Sequence, residues 1–312
     1  MLDSESHLAI YRSSLTGDRH RKFITVARTA ILQDTIELLA GSAKRRSKHH
    51  FLFIGPRGIG KTHLLSLIEQ EARTDKLLSK PYIVARFPEE SNRVLSFADF
   101  LLGICEILKE VRPAEKMWQE LYEQLHLEED NAKIVDSIVP AIREDNRKRE
   151  RTLIVMLENI NEVFSRQIKN KDDIAAIRKF FMQENRCLLI ATATMHFDGI
   201  TDVSQPFYDF FDTQILEEFT EKQTIEFIRK NLEWDQRDDL LAGFDSIRQR
   251  ILALYQMTGG NPRLLAILYE LIASDAVANI HQNFEVLLDR ITPFYQDRMN
   301  NLPPQELSLI HI

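Results

Sequence analysis

Gly55-Pro56-Arg57-Gly58-Ile59-Gly60-Lys61-Thr62 is the stretch that most restricts what this 312-residue chain can fold into. It follows the short apolar run Phe51-Leu52-Phe53-Ile54 and leads into Thr62-His63-Leu64-Leu65-Ser66-Leu67-Ile68. That order reads as strand, glycine-rich turn, helix. The spacing G-x-x-x-x-G-K-[ST] has a physical reason at each position. Glycines let backbone N–H groups turn inward and form a nest for phosphate oxygens. The helix opening near Gly60 aims its partial positive end at the same anion. Lys61 supplies a mobile charge for the β- and γ-phosphates, and the Thr62 hydroxyl is a ligand type suited to Mg²⁺. The eight residues and the neighbouring His63 therefore form the candidate triphosphate site. A chance match in a glycine-containing turn is the alternative, and the flanking strand and helix argue against it.

A second run, Leu153-Ile154-Val155-Met156-Leu157, is apolar throughout and ends in Glu158. A carboxylate at the end of a buried strand needs a partner. Mg²⁺ held through water is one. Capping of the next helix is the other reading.

Strand-like runs also occur at 82–87, 187–194 and 212–219, with helical spacing at 29–40, 97–108, 114–126, 131–149 and 172–184. Alternating strands and helices, with the best strands apolar on both faces, predict an α/β fold: a parallel sheet covered by helices on both sides. After residue 220 the strands stop, and 221–232, 237–257, 262–274 and 280–301 read as helices. The expected organisation is a polar arm at 1–22, an α/β domain at 23–220, a small all-α domain at 221–300, and the start of a further region at 301–312. No repeat at 20–50-residue spacing is evident.

The bulk composition narrows the partners. Hydrophobic residues make up 44% and charged residues 28%, which suits a globular domain, and the formal charge of −7 is not that of a general polyanion binder. Locally, Lys44 to His50 carries four cationic side chains and reads as a solvated loop or, less simply, a DNA phosphate contact. Arg143 to Arg151 reads as a solvated, mixed-charge helix end. Glu89-Glu90 reads as surface. His49, His50 and His63 lack companion ligands at metal spacing. Cys105 and Cys187 read as two buried thiols in a reducing compartment. With no signal-like N-terminus and no apolar run of about 18 residues, a cytoplasmic protein with no membrane partner is expected.

Four segments taken together resemble the AAA+ ATPases, in their replication-initiator (origin-recognition-like) and STAND branches. Phe23-Ile24-Thr25-Val26-Ala27-Arg28 resembles the segment lining the adenine pocket, which puts adenine near Val26. The P-loop is complete. Leu157-Glu158-Asn159-Ile160-Asn161 resembles Walker B. Gly259-Gly260-Asn261-Pro262-Arg263 resembles the sensor 2 motif of the helical lid. Thr192 or Thr194 falls in the sensor 1 region. The resemblance spans roughly residues 23–275. It implies Mg²⁺ and ATP held by Lys61, Thr62 and Glu158, a γ-phosphate read by Thr192 or Thr194 and by Arg263, and a lid that closes. It also implies a DNA or protein partner and leaves a homo-oligomer open. Arg263 has a plainer reading as an exposed helix N-terminal residue.

Two departures bear on catalysis. Asn159 stands where the family has its water-orienting Glu, and Asn cannot take a proton. Glu162 is a substitute, though one helical turn away. The segment from Met195 to Phe211 contains no Arg or Lys, so no arginine finger is available there. A nucleotide switch or scaffold with negligible turnover is therefore the alternative to an active ATPase with Lys61, Glu158 and Asn159 at its centre. A small-molecule kinase is a third reading, set back by the lack of an acceptor-site Asp or Arg cluster. Asn301-Leu302-Pro303-Pro304 resembles the lead-in to a winged-helix domain, and Ser308 to Ile312 resembles translated adaptor sequence. The expectation is that the natural chain continues into a DNA- or partner-binding domain.

Overall fold

In the computed structural model, residues 17–45, 48–76, 78–88, 94–273 and 292 are described. The polar arm before residue 17, Glu89-Glu90, the expected helix at 280–301 (Thr292 apart) and the C-terminal string lie outside the described residues. Two compact units divide the chain. One comprises 29–56 and 61–216; the other comprises 1–28, 57–60 and 217–312.

In the α/β unit, five strands form one parallel sheet: β1 (Phe51–Ile54), β2 (Tyr82–Arg86), β3 (Thr152–Leu157), β4 (Cys187–Ala193) and β5 (Asp212–Ile215). Their order is β2-β3-β4-β1-β5. β4 pairs with β3 through Leu153↔Cys187 and with β1 through Phe51↔Ile190. Strand side chains alternate between faces, and both faces here are apolar. Leu52, Ile54, Ile83, Ala85, Leu153, Val155, Leu189 and Ala191 join a core with α4 (Phe97–Val111), α5 (Lys116–Leu125), α6 (Asn131–Lys148) and α8 (Lys171–Gln183). On the other face Tyr82 donates to the Leu39 carbonyl of α2 (Thr29–Arg45) at 2.7 Å, and Arg86 reaches α3 (Lys61–Thr74). A parallel sheet buried on both sides is the expected architecture. β5 is shorter than the run 212–219, because only 212–215 pairs with β1.

Charged stretches read as solvated are in part built into this unit. Arg151 and Asp145 are buried and ion-paired, and Arg151 also meets Glu115 at 2.7 Å. Burial works against the Glu115 charge, but its hydrogen bond to Arg151 keeps it below the usual carboxylate range. Glu115 precedes the first residue of α5 and Asp145 lies in α6, so the cluster joins two helices to the start of β3. The basic stretch after residue 43 also differs. α2 runs through Gly41 to Arg45, and Lys48 donates to the Phe181 carbonyl at 2.8 Å near the end of α8. The carbonyls left over at a helix C-terminus attract such a cation. Cys105 and Cys187 are buried and unbridged.

In the helical unit, α1 (Asp18–Phe23) occupies residues expected to be arm. One turn is too short to show a hydrophobic period. It is held instead by Arg21, which is buried, and by His20 stacked on Trp234 at 4.4 Å. α10 (Glu221–Trp234), α11 (Asp238–Ala242), α12 (Phe244–Thr258) and α13 (Pro262–Ala273) follow. The expected helix at 237–257 is thus two, separated at Gly243. Thr220 and Gln223 form a reciprocal capping box that starts α10.

His50 lies buried beside β1. Its Nδ1 accepts from the Leu189 N–H at 3.0 Å, and its ring stacks on Phe210 at 4.3 Å. Burial, and then the charges of Lys48 and His49, push it down to about 3. The unfolded chain takes up that proton near pH 6.5 and the folded chain only near 3. Stability is therefore complete above about pH 6.5 and declines as pH falls towards 3, by up to about 1.4 kcal/mol per pH unit. Urea unfolding at pH 7 and pH 5 should show this loss in the wild type. His50→Gln, which keeps an acceptor for Leu189, should be measurably flatter over the same interval.

Candidate nucleotide site

The chain leaves β1 at Ile54, turns through residues 55–60 and enters α3 at Lys61. Gly58 and Gly60 have φ of 81° and 99°. Side chains with a Cβ are strained there, so glycine is required for the turn. Lys61 is buried at the helix start. Its ammonium donates to the carbonyls of Gly55 at 2.7 Å and Pro56 at 3.1 Å.

Because β4 lies between β1 and β3 and all strands are parallel, the loops after β1 and β3 open at the same carboxyl edge, one strand apart. Ligands of open α/β sheets settle at such an edge. There Thr62 Oγ1 donates to Glu158 Oε2 at 2.5 Å. The other carboxylate oxygen of Glu158 accepts from Arg86 Nη2 at 2.7 Å. Glu158 is buried and both of its oxygens are committed in this way. The next helix, α7 (Ile160–Glu162), has no side-chain cap, so the capping alternative for Glu158 does not hold. Arg86 also donates to Ser66 at 2.8 Å and to Glu69 at 3.1 Å. Burial opposes its charge, but Glu158 and then Glu69 raise the guanidinium above its ordinary range.

Thr62 Oγ1 and Glu158 Oε2 are hard oxygen donors in direct contact. Mg²⁺ takes such ligands, usually one or two from protein, with phosphate and water filling the remainder. The residues fit that ion. Among the described residues no group of three or more His, Cys, Asp or Glu could hold a metal ion, and no helix is long and apolar enough to cross a membrane.

Between these loops, β4 and the bend just after it supply two threonines, Thr192 and Thr194. Thr192, fully buried, accepts from the Asn159 N–H at 3.0 Å. Thr194 and Asn161 exchange hydrogen bonds, Nδ2 to Oγ1 at 3.1 Å and Thr194 N–H to Oδ1 at 3.2 Å. Asn159 itself is left-handed, with φ 52°. Glu162 pairs with Arg166 at 3.0 Å, which engages the carboxylate offered as a substitute base.

The helical unit holds the remaining residues. Val26 is buried among Phe219, Phe227, Ile228, Leu264 and Leu265. Asn261 accepts from the N–H groups of Arg263 at 3.1 Å and Leu264 at 3.3 Å and so caps α13. Its Nδ2 donates to the Arg57 carbonyl at 3.3 Å, and the Arg263 N–H donates to the Gly58 carbonyl at 3.2 Å. The Arg263 side chain is exposed. Ile59 accepts from Arg28 at 3.0 Å, and Arg28 also reaches the Glu217 carbonyl at 2.6 Å. Burial pushes Arg28 down to about 10 against the opposing charges of Glu218 and Glu217.

No protein-family model and no curated protein matches the chain. Solved structures do. A Walker-type ATPase of Pyrococcus abyssi matches with a TM-score of 0.59 and 14% identity, over 88% of this chain and 75% of that one. The ORC1 protein of Aeropyrum pernix, solved in complex with DNA, matches with a TM-score of 0.55 and 16% identity, over 97% and 75%. The ORC2 protein of the same organism, solved as ADPNP-ADP complexes, matches with a TM-score of 0.55 and 11% identity, over 78% of this chain and 61% of that one. The fold is like that of these Walker-type ATPase and ORC structures. Within it, the α/β unit brings Lys61, Thr62, Glu158, Asn159 and Thr192 to one sheet edge. The helical unit brings Gly58, Ile59 and Arg263 together. Sequence reasoning gave Arg86 no role, and quoted Arg28 and Asn161 only as the ends of motif segments. Arg86 was a charge near the end of the apolar run at 82–87.

Gly260 gives this description a direct check. Its φ is 78°, its carbonyl accepts from the Phe219 N–H at 2.9 Å, and a Cβ there would lie 2.0 Å from the Phe219 carbonyl oxygen. Main chain cannot yield as a flexible side chain does. Gly260→Ala should lower unfolding free energy by about 2 kcal/mol or more in a denaturant titration.

Proposed function

We propose that the chain is an ATP-binding AAA+-type ATPase that holds Mg²⁺ and ATP in residues 55–63 and uses the bound nucleotide as a conformational signal. The contact between Thr62 and Glu158 at 2.5 Å, beside the buried Lys61 ammonium, is the observation that carries the reading. Neutral carbonyls are weaker acceptors than phosphate oxygens, so Lys61 gains by exchanging Gly55 and Pro56 for a triphosphate. Bound Mg²⁺ would neutralise phosphate charge beside Thr62 and Glu158. Thr192 fixes the main chain just after Glu158, and Thr194, locked to Asn161, offers its hydroxyl at the same edge. By the resemblance, Val26 would serve the adenine, and Arg263 of the 221–300 lid the γ-phosphate. Movement of that lid would be read by DNA or protein, as the DNA-bound ORC1 relative suggests.

Lys61→Ala should abolish the thermal stabilisation that Mg²⁺ and ATP give the wild type. Saturation at about 1,000 times the dissociation constant contributes about 4 kcal/mol, a shift easily read in a melting curve. Equal shifts in both proteins would overturn the site.

A second reading, a switch with negligible turnover, has a specific observation in its favour. By the resemblance Asn159 falls where a water-activating acid would stand; its main chain is pinned by Thr192, and Glu162 is engaged by Arg166. Phosphate release should be slow in the wild type and rise on the order of tenfold or more in Asn159→Glu. Fast wild-type turnover, unaffected by Asn159→Glu, would reject the switch.

A further inference from the structure

Arg86 ends β2 in register with Met156 of β3. Its guanidinium touches Glu158 at 2.7 Å, Ser66 at 2.8 Å, Glu69 at 3.1 Å and the Thr62 carbonyl at 3.4 Å. Only 18% of its side chain is exposed, against 3% for Glu158. Four acceptors from α3 and the end of β3 hold it, so it cannot swing away without leaving a buried carboxylate unpaired.

Resting on the reading above, we infer that Arg86 is a positioning residue that pre-neutralises Glu158, so that a nucleoside triphosphate binds with little help from a divalent cation. Three facts combine. The carboxylate that would hold Mg²⁺ has one oxygen on a hydroxyl and the other on a permanent cation. Arginine does not lose its proton in a protein, so the pairing persists at every working pH. A fixed positive charge on the far oxygen of the same carboxylate both weakens its pull on a divalent ion and repels that ion. With Arg73 on Glu69 at 2.6 Å, the two carboxylates and two guanidiniums around Thr62 already balance before any metal arrives. The cation's role at the triphosphate end is in part taken by the chain itself.

The test is calorimetric titration of ATP into the full chain, once with Mg²⁺ and once with excess EDTA, and it reads the ratio of the two dissociation constants. Wild type should give a ratio within about threefold. Arg86→Gln, which keeps a donor to Glu158 but removes the charge, should raise the ratio about tenfold or more. Arg86→Lys, which restores the charge, should return it towards wild type. A merely structural arginine would lower stability in both variants and leave the ratio unmoved, which overturns the inference. If Arg86→Gln fails to fold, the wild type decides: a preference for Mg·ATP above about thirtyfold overturns the inference. Absence of ATP binding by wild type in either buffer would sink the nucleotide site itself, an outcome distinct from unchanged ratios.

Discussion

A carboxylate buried at the end of a central strand has to be satisfied, and much of the carboxyl edge of this sheet is arranged around that need. Glu158 is met by the Thr62 hydroxyl on one oxygen and by Arg86 on the other. An unpaired buried carboxylate would cost several kcal/mol. The two partners come from the helix after β1 and from the end of β2, so satisfying one side chain ties three strand ends to a common geometry. Insertion of β4 between β1 and β3 makes this reach workable and brings Thr192 and Thr194 into the same edge.

The helical unit meets a different demand. Its motif Gly259 to Arg263 gathers main-chain groups: Gly260 pairs with Phe219, Asn261 caps α13 and reaches Arg57, and the Arg263 amide reaches Gly58. Asn261 is buried and uses both ends of its amide. Gly260 permits the close main-chain approach, Gly259 ends α12 in a left-handed cap, and Pro262 begins the next helix where its missing N–H costs nothing.

All five strands (the fifth with too long an end), the P-loop and the switch to helices after residue 220 were legible, most because each leaves a local mark: a continuous apolar run, a glycine spacing or a 3.6-residue period. Glu158 was legible for the same reason, since a charge ending an apolar strand is anomalous. Arg86 was equally anomalous, a charge next to last in the apolar run 82–87, but a guanidinium near a strand end is commonly solvent-facing, and its partners lie 17 to 72 residues away. The buried pair Asp145 and Arg151 was hidden inside a run that looks solvated, because burial of an ion pair is decided by tertiary neighbours. The single turn of α1 and the break at Gly243 were below the resolution of periodicity.

Asn159 carries a consequence for how this site can change over time. Its main chain is left-handed, a region that asparagine enters more readily than longer side chains. Replacing asparagine by the longer glutamate here is opposed by local backbone preference, by an amount on the order of 1 kcal/mol, whereas aspartate is not. The left-handed turn therefore limits which side chains can follow this strand end, favouring asparagine, aspartate or glycine over longer ones.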